Sequence, residues 1–454
     1  MLKKIYTFFT RPPLKKGLSL WMLVALVVGN MIGSGIFLLP ASLAPYGSIS
    51  ILAWIITAAG SILLAFLFVD LNKAYPQSGG PYLYCQKGFG DCIGFLIAYN
   101  YWIAVWVANA AVAVALVGYL GSFWPALNEK AGAVYNPLFS LGMKIGMLWL
   151  FTFINMLGVH RAGIAQLITT LLKILPLIIL SVAALFYVHP IYLGQFNASG
   201  ESTFTALTTT ITLTLWAFIG LESATIPAEE ANNPRDVAKA TLIGTSLAAL
   251  VYILSTVAIL GLIPANELKN SQAPFADAAQ LLFGSKASLL IALSAIMSCA
   301  GALNGWIMLQ AQIPMAAARD GLFPAIFAQR NKSGTPIAGL VISSLLATLL
   351  LLLTVNQTLT KQFTFIILLA TLAYVIPYFV SAISQLIFLA RDRQLIKDKQ
   401  FIKPLLIAIF SAIYSFFAIA GSGKDTVYYG MLLFLTGFPV YVWIKRKKQI
   451  PVTQ

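Results

Sequence analysis

Residues 29–39 read GNMIGSGIFLL, inside an apolar run from about Leu18 to Ala44. At ~1.5 Å per residue such a run is long enough to cross a bilayer. Gly29, Gly33 and Gly35, with Ser34 between the last two, stand where an ordinary spanning helix carries Leu or Val. A glycine inside a helix costs about 1 kcal/mol relative to alanine, so this cluster needs a reason. Close approach of a neighbouring helix is one, because small residues let backbones meet in a membrane. The reading we expect is a break at Gly33–Gly35, with the helix restarting at Ile36. A break frees amide N–H groups at the start of the second half-helix, and these suit a carboxylate. At bilayer depth it is tolerated only where it lines a cavity or is buried in protein.

Composition sets the class. The 454-residue chain is 59% hydrophobic and 9% charged, with mean hydropathy +0.86. Soluble domains run at about 45–50% apolar and about 25% charged. We therefore expect an all-α polytopic membrane protein. Its basic start precedes an apolar run too long for a cleaved signal and without a small-residue cleavage site. Cys85, Cys92 and Cys299 are odd in number and lack metal-ligand spacing, so neither a disulfide nor a metal is expected.

About 12 transmembrane helices are expected, near residues 18–44, 50–70, 95–124, 141–159, 163–187, 205–229, 237–263, 286–315, 337–355, 362–390, 404–421 and 426–444. With the N-terminus in the cytosol, inner segments hold 22 of the 29 Lys and Arg and outer ones hold 6. That asymmetry is the positive-inside pattern, which places both termini in the cytosol. The net charge of +15 is thus a matter of topology, and nucleic acid is not expected as a partner. Long soluble domains are absent. The loop around Asn72–Gly94 carries a turn, Ser78–Pro81, before Tyr82 and Tyr84, and reads either as a re-entrant or interfacial segment or as a plain connection.

In the sixth run, LTLWAFIGLESA (Leu213–Ala224), Glu222 is the one acidic residue of 14 that falls inside a span. A carboxylate at bilayer depth costs at least ~2.5 kcal/mol on insertion scales and normally faces a cavity or a partner. Gly220 beside it permits local unwinding. This second candidate break, at Phe218–Leu221, lies five spans after the first, and paired interrupted helices mark a transporter's midplane site. Amides near Ser34–Phe37 suit a substrate carboxylate and carbonyls near Phe218–Ile219 suit an ammonium, which together fit an α-amino acid zwitterion. Glu222 beside them is expected to titrate, to counter a cationic substrate, or to hydrogen-bond the broken backbone.

GNMIGSGIFLLP (Gly29–Pro40), SGGPYLY (Ser78–Tyr84), LWAFIGLESA (Leu215–Ala224) and DGLFPAIFAQRNKSGTP (Asp320–Pro336) resemble the amino acid–polyamine–organocation transporters, above all the basic amino acid/polyamine antiporters. The resemblance implies a five-plus-five inverted repeat with discontinuous helices 1 and 6. The repeats would be 18–187 and 205–390, with helices 11 and 12 at 404–444, and basic cytosolic ends at 1–17 and 445–454. It also implies a small-molecule amino acid or amine substrate, the lipid bilayer as setting, the inner membrane as location, a possible homodimer and no cofactor. By motif, Asn30, Met31, Ser34 and Gly35 fall on the family's first-span site. Tyr101, Ala104 and Asn109 fall on its third-span site, and Trp216, Ile219 and Glu222 on its sixth. Trp306 falls on the eighth-span aromatic that stacks on a guanidinium, a cation–π contact of ~0.5–2 kcal/mol. Tyr84 resembles a cytosolic gate.

Two positions depart from the arginine/agmatine pattern. Val105 replaces a cysteine, and Lys173 lies deep inside QLITTLLKILPLIILSVAALF (Gln166–Phe186). A lysine stem at that depth does not snorkel fully to water, so Lys173 needs a cavity, a carbonyl cage or a carboxylate, or else it sits neutral. Proton-coupled amino acid transporters of the superfamily look alike in having a lysine there. The sequence therefore supports two mechanisms. One is antiport of a basic amino acid against its amine or another amino acid. The other is proton-coupled uptake of broader specificity through Lys173 or Glu222. A membrane-embedded enzyme would need an acid–base pair, for which only Glu222 with Lys173 is available.

Overall fold

The computed structural model describes residues 18–75, 80–156, 162–225, 231–331, 335–391 and 401–449. Helix α1 (Leu20–Met31) is followed, after two non-helical residues, by α2 (Ser34–Leu43). Then come α3 (Ile49–Ala74), α4 (Pro81–Phe89), α5 (Asp91–Leu120), α6 (Pro137–Met156), α7 (Ala162–Leu185) and α8 (Thr203–Leu215). The second half holds α9 (Pro234–Leu262), α10 (Ala265–Leu268), α11 (Pro274–Phe283), α12 (Ser285–Arg319), α13 (Ile337–Leu353) and α14 (Leu359–Arg391). The chain continues with α15 (Ile402–Ala420), α16 (Lys424–Leu435) and α17 (Gly437–Gln449). Among the described residues ten helical stretches are long and apolar enough to span a membrane, and Lys173–Leu185 and Ile337–Leu353 are shorter apolar helices. These stretches match the twelve apolar runs of the sequence in order. The protein is a multi-pass, all-α membrane protein.

Helix α5 is the axis. Apolar all round, with no polar face to offer a solvent, it is the spanning helix whose most hydrophobic window is wholly buried. It packs most extensively against α12 and α14. The periphery shows the opposite pattern. Phe410, Phe416, Tyr428, Leu432 and Trp443 on α15–α17 are exposed, as a surface solvated by hydrocarbon requires.

One element differs from the sequence reading: the 264–285 connection carries α10 and α11, and α11 folds inward to bury Phe275, Ala276, Ala278 and Ala279. The last apolar run is one spanning stretch with a turn at Thr436 between α16 and α17, and an added Cβ on Gly437 would lie 2.8 Å from the Tyr99 ring. Of the Asn72–Gly94 loop, residues 76–79 lie outside the described ones. Its first residues end α3, its last begin α5, and Pro81–Phe89 between them forms α4, in which Tyr82 donates to Asp320 Oδ2 at 3.0 Å. Burial and the Asp320 carboxylate push the Tyr82 hydroxyl well above the ordinary phenol range.

Small residues set the closest helix contacts. A Cβ on Gly339 of α13 would meet Ala311 Cα of α12 at 2.9 Å, and backbone cannot yield as a side chain can. Gly339→Val should therefore destabilise the α12–α13 pair by about 1–3 kcal/mol, as overpacking does. A thermal melt of the purified protein in detergent checks this, and an unchanged melting temperature would refute the contact.

Candidate functional site

The first helix breaks at Ile32 and Gly33, whose dihedral pairs (−78°, 82°) and (−119°, −128°) are both non-helical. It resumes at Ser34, two residues before the expected Ile36, because Ser34 and Gly35 already form the first turn of α2. No side chain caps that turn, and the buried Ser34 Oγ has no hydrogen-bond partner among the described residues. The start of α2 thus points uncapped amides and one spare hydroxyl into the interior, the polarity that an anion requires.

The sixth span breaks where expected. Helix α8 ends at Leu215, a single 3-10 turn covers Trp216–Phe218, and Ile219 is extended. Gly220 takes φ +106°, a region that side chains rarely adopt, which is why glycine stands beside Glu222. A second short turn covers Ser223–Thr225. The two breaks touch: a Cβ on Gly35 would lie 3.1 Å from Trp216 Cδ1 and 3.2 Å from Ala217 Cα. Across the same junction Asn30 Nδ2 donates to Ser223 Oγ at 2.9 Å. The carbonyls of Trp216 and Phe218 each accept one backbone N–H, from Ile219 and Leu221, and each keeps a second lone pair.

Between the breaks lies a cavity of about 20 Å3, room for about one water molecule. Asn30, Met31, Ser34, Gly35, Trp216, Ile219 and Trp306 line it, together with Gly33, Ala108, Val112 and Ala302. Seven of the residues singled out in the sequence are therefore brought together. Ala104 is buried but does not line this cavity, and Ala108 and Val112, one and two turns further along the same face of α5, do so instead. Asn109 turns away towards α12, where its Nδ2 donates to Gln310 Oε1 at 2.8 Å.

Tyr101 and Glu222 form a second cluster next to this wall. Glu222 is fully buried. Its Oε1 accepts from Tyr101 of α5 and its Oε2 from Tyr378 of α14, both at 2.8 Å. Hydrogen bonds to a charged acceptor are worth about 1.5–3 kcal/mol each, and two of them offset part of the cost of holding the carboxyl there. Tyr374 joins this cluster to the cavity, its ring 5.4 Å from Tyr101 and 5.9 Å from Trp306. Tyr84 is buried against Phe68 at 6.5 Å, and Phe68 packs on Tyr378 at 5.3 Å.

Tyr374, Tyr378 and Ala302 were not singled out in the sequence. A signal for Tyr378 existed: a lone buried carboxylate requires donors, and the tenth run offers the Tyr378 phenol.

Lys173 sits behind the first break. Its Nζ donates to Gly29 O at 2.5 Å, near the negative end of α1, where a cation is favoured. Nearby, Ser298 donates to Ile32 O at 3.1 Å and Thr170 to Ala25 O at 3.3 Å. Of the partners the sequence offered, a backbone carbonyl is the one observed for Lys173.

Two broken helices facing one another across a buried polar cavity define a membrane transport fold. A family model described as amino acid permease matches residues 18–444, and the chain belongs to that family. It is similar to a putative arginine/ornithine antiporter of Bacillus subtilis (strain 168), 35% identical over 463 residues, covering 94% of this chain and 97% of the relative. It is also 35% identical over 422 residues to a putrescine transporter of Escherichia coli (strain K12), covering 92% of this chain and 94% of the relative. A cadaverine/lysine antiporter of the same organism is 31% identical over 417 residues, with 90% of each chain covered.

The Gly220 backbone makes a specific demand. Gly220→Ala places a side chain at a strained φ and should cost about 1–3 kcal/mol of stability. The same substitution at Gly305, whose Cβ would find its nearest neighbour at 3.8 Å, should be tolerated. Melting temperatures of the two variants check the contrast.

Proposed function

We propose that the chain is a secondary active transporter that exchanges a basic amino acid, arginine-like, for its decarboxylated amine or another amino acid by alternating access. The observation that carries this reading is Glu222, the one carboxyl buried among the described residues, beside the polar junction of the two breaks, where it supplies the counter-charge for a cationic substrate. The relatives named for arginine, ornithine, lysine, cadaverine and putrescine support it.

In this reading the α2 amides and Ser34 receive the substrate carboxylate, while the Trp216 and Phe218 carbonyls receive the α-ammonium. Trp306 lies against the side-chain cation, and Met31, Gly35 and Ile219 shape the remaining wall. Tyr101 and Tyr378 hold Glu222 between turnovers, and Tyr84 closes the inner side. Ala104 and Asn109 act by shaping α5 rather than by contact with substrate in this conformation. Residues 18–187 and 205–390 are the two inverted units, which puts a break in the first span of each. Both termini lie in the cytosol and the chain sits in the inner membrane, as its basic residues support. Lipid surrounds it, a homodimer remains compatible with its apolar periphery, and the reading assigns no enzymatic step.

The test uses purified protein in liposomes preloaded with unlabelled arginine. Labelled arginine should enter only when internal substrate is present, with agmatine, ornithine, lysine and putrescine competing. Glu222→Gln should lower this exchange by at least tenfold, in line with a charged hydrogen-bonded contact of about 1.5–3 kcal/mol. Exchange of neutral amino acids alone would overturn the basic-substrate assignment.

The Lys173 contact to Gly29 O favours a second reading, proton-coupled uptake in which Lys173 carries the proton behind the first break. Under it, empty liposomes take up substrate down an inward proton gradient. Lys173→Ala then removes the pH dependence and leaves the folded protein intact. An unchanged pH profile in this variant would retire the second reading.

A further inference from the structure

Pro377 stands inside α14, one residue before Tyr378. Proline has no N–H, so the Ala373 carbonyl, one turn earlier, loses its ordinary helical donor. At membrane depth that loss is expensive unless another group supplies a proton. Asn100 of α5 supplies it: its Nδ2 donates to Ala373 O at 2.6 Å, and both groups are buried. Asn100 is also the residue before Tyr101. The same two helices are therefore tied twice at one level, once through Asn100 to the carbonyl freed by Pro377 and once through Tyr101, Glu222 and Tyr378.

We infer that Asn100 is a positioning residue for Glu222, acting through the carbonyl that Pro377 orphans: it fixes the α14 backbone at the height where Tyr378 reaches the carboxyl. This rests on the transport reading for its consequence in turnover, but the tie itself is a property of the fold. A helix without an internal hydrogen bond at Pro377 bends there more readily than elsewhere. The side-chain amide of Asn100 then decides whether that point is held to α5. The pairing also explains a polar residue in the wholly buried face of α5, which the cavity and Glu222 leave unused.

The experiment is a double-mutant cycle of Asn100→Leu and Pro377→Ala. Alanine at 377 restores an intrahelical donor to Ala373 O, so the need for Asn100 disappears. Amide hydrogen exchange of the purified proteins in nanodiscs reads the tie without any substrate. Asn100→Leu should speed exchange of the α14 amides flanking 377 by about three- to fifteen-fold, the range of interhelical hydrogen bonds in membranes. In the Pro377→Ala background the same substitution should change it by less than twofold. An equal acceleration in both backgrounds, or none in either, overturns the inference. Should Asn100→Leu alone fail to fold, recovery of a folded double variant supports the tie, and failure of both overturns it.

In exchange assays Asn100→Leu should lower the maximal rate by a similar factor, with apparent affinity changed less than threefold, and Pro377→Ala should abolish that difference. A native protein that exchanges no basic substrate retires the transport reading, while the hydrogen-exchange cycle still decides the role of Asn100.

Discussion

A bare backbone polar group in the middle of a bilayer costs several kcal/mol, and the site of this protein follows from how that cost is avoided. Two spans are broken at the same depth, and each break leaves carbonyls without a helical donor. Side chains from neighbouring helices take them up. Lys173 serves Gly29, Ser298 serves Ile32 and Tyr252 serves Ala217. Asn100 does the same for Ala373. The amides at the start of α2 are the exception. They point at the cavity with no cap, and a site for an anionic group is what remains when carbonyls are answered by protein and amides are not.

Glu222 and Lys173, the buried ionisable groups beside the breaks, are accommodated differently. Glu222 is held by two phenols from two helices, donors that a passing cation can compete with. Lys173 is bound to a backbone carbonyl on the far side of the first break, and no described carboxylate pairs with it. The pair therefore does not neutralise itself across the cavity. A carboxyl that must find its counter-charge elsewhere is suited to a cationic substrate. Had Glu222 and Lys173 formed a buried ion pair, neither would be available to one.

Much of this was legible in the sequence, for physical reasons. Glycines in a spanning run and a lone acid in another are local signals, and both breaks fell where those residues stand. The first begins one residue earlier than expected, at Ile32, and restarts at Ser34 rather than Ile36, because Ser34 and Gly35 fit the first turn of a helix. What stayed hidden depends on partners distant in the chain. Nothing near Glu222 announces Tyr378, which lies 156 positions further on. Residues 274–283 are apolar but too short to span a bilayer, so they fell within a connection, and they fold inward as α11 because Phe275 finds Phe37 and Tyr119. Asn109 lies one position from Ala108, and one helical step of about 100° separates the cavity wall from the α12 contact.

The size of the cavity has a mechanical consequence. At about 20 Å3 it admits about one water molecule, so any amino acid must enter through rearrangement of its walls. Regular helix hydrogen bonds are a poor means of doing this, because opening one exposes two backbone groups to hydrocarbon. Contacts between a side chain and a backbone or carboxyl group can exchange one partner for another at lower cost, since the substrate brings its own donors and acceptors. Such contacts occur at the breaks in the first and sixth spans and along α14, among them Asn100–Ala373 and Tyr378–Glu222. Helix α5, buried on all sides, supplies the fixed partner for the first and, through Tyr101, a second donor to the carboxyl of the other. The parts of the molecule able to move are thus those whose polar groups are satisfied by side chains, and they meet at the carboxyl of Glu222.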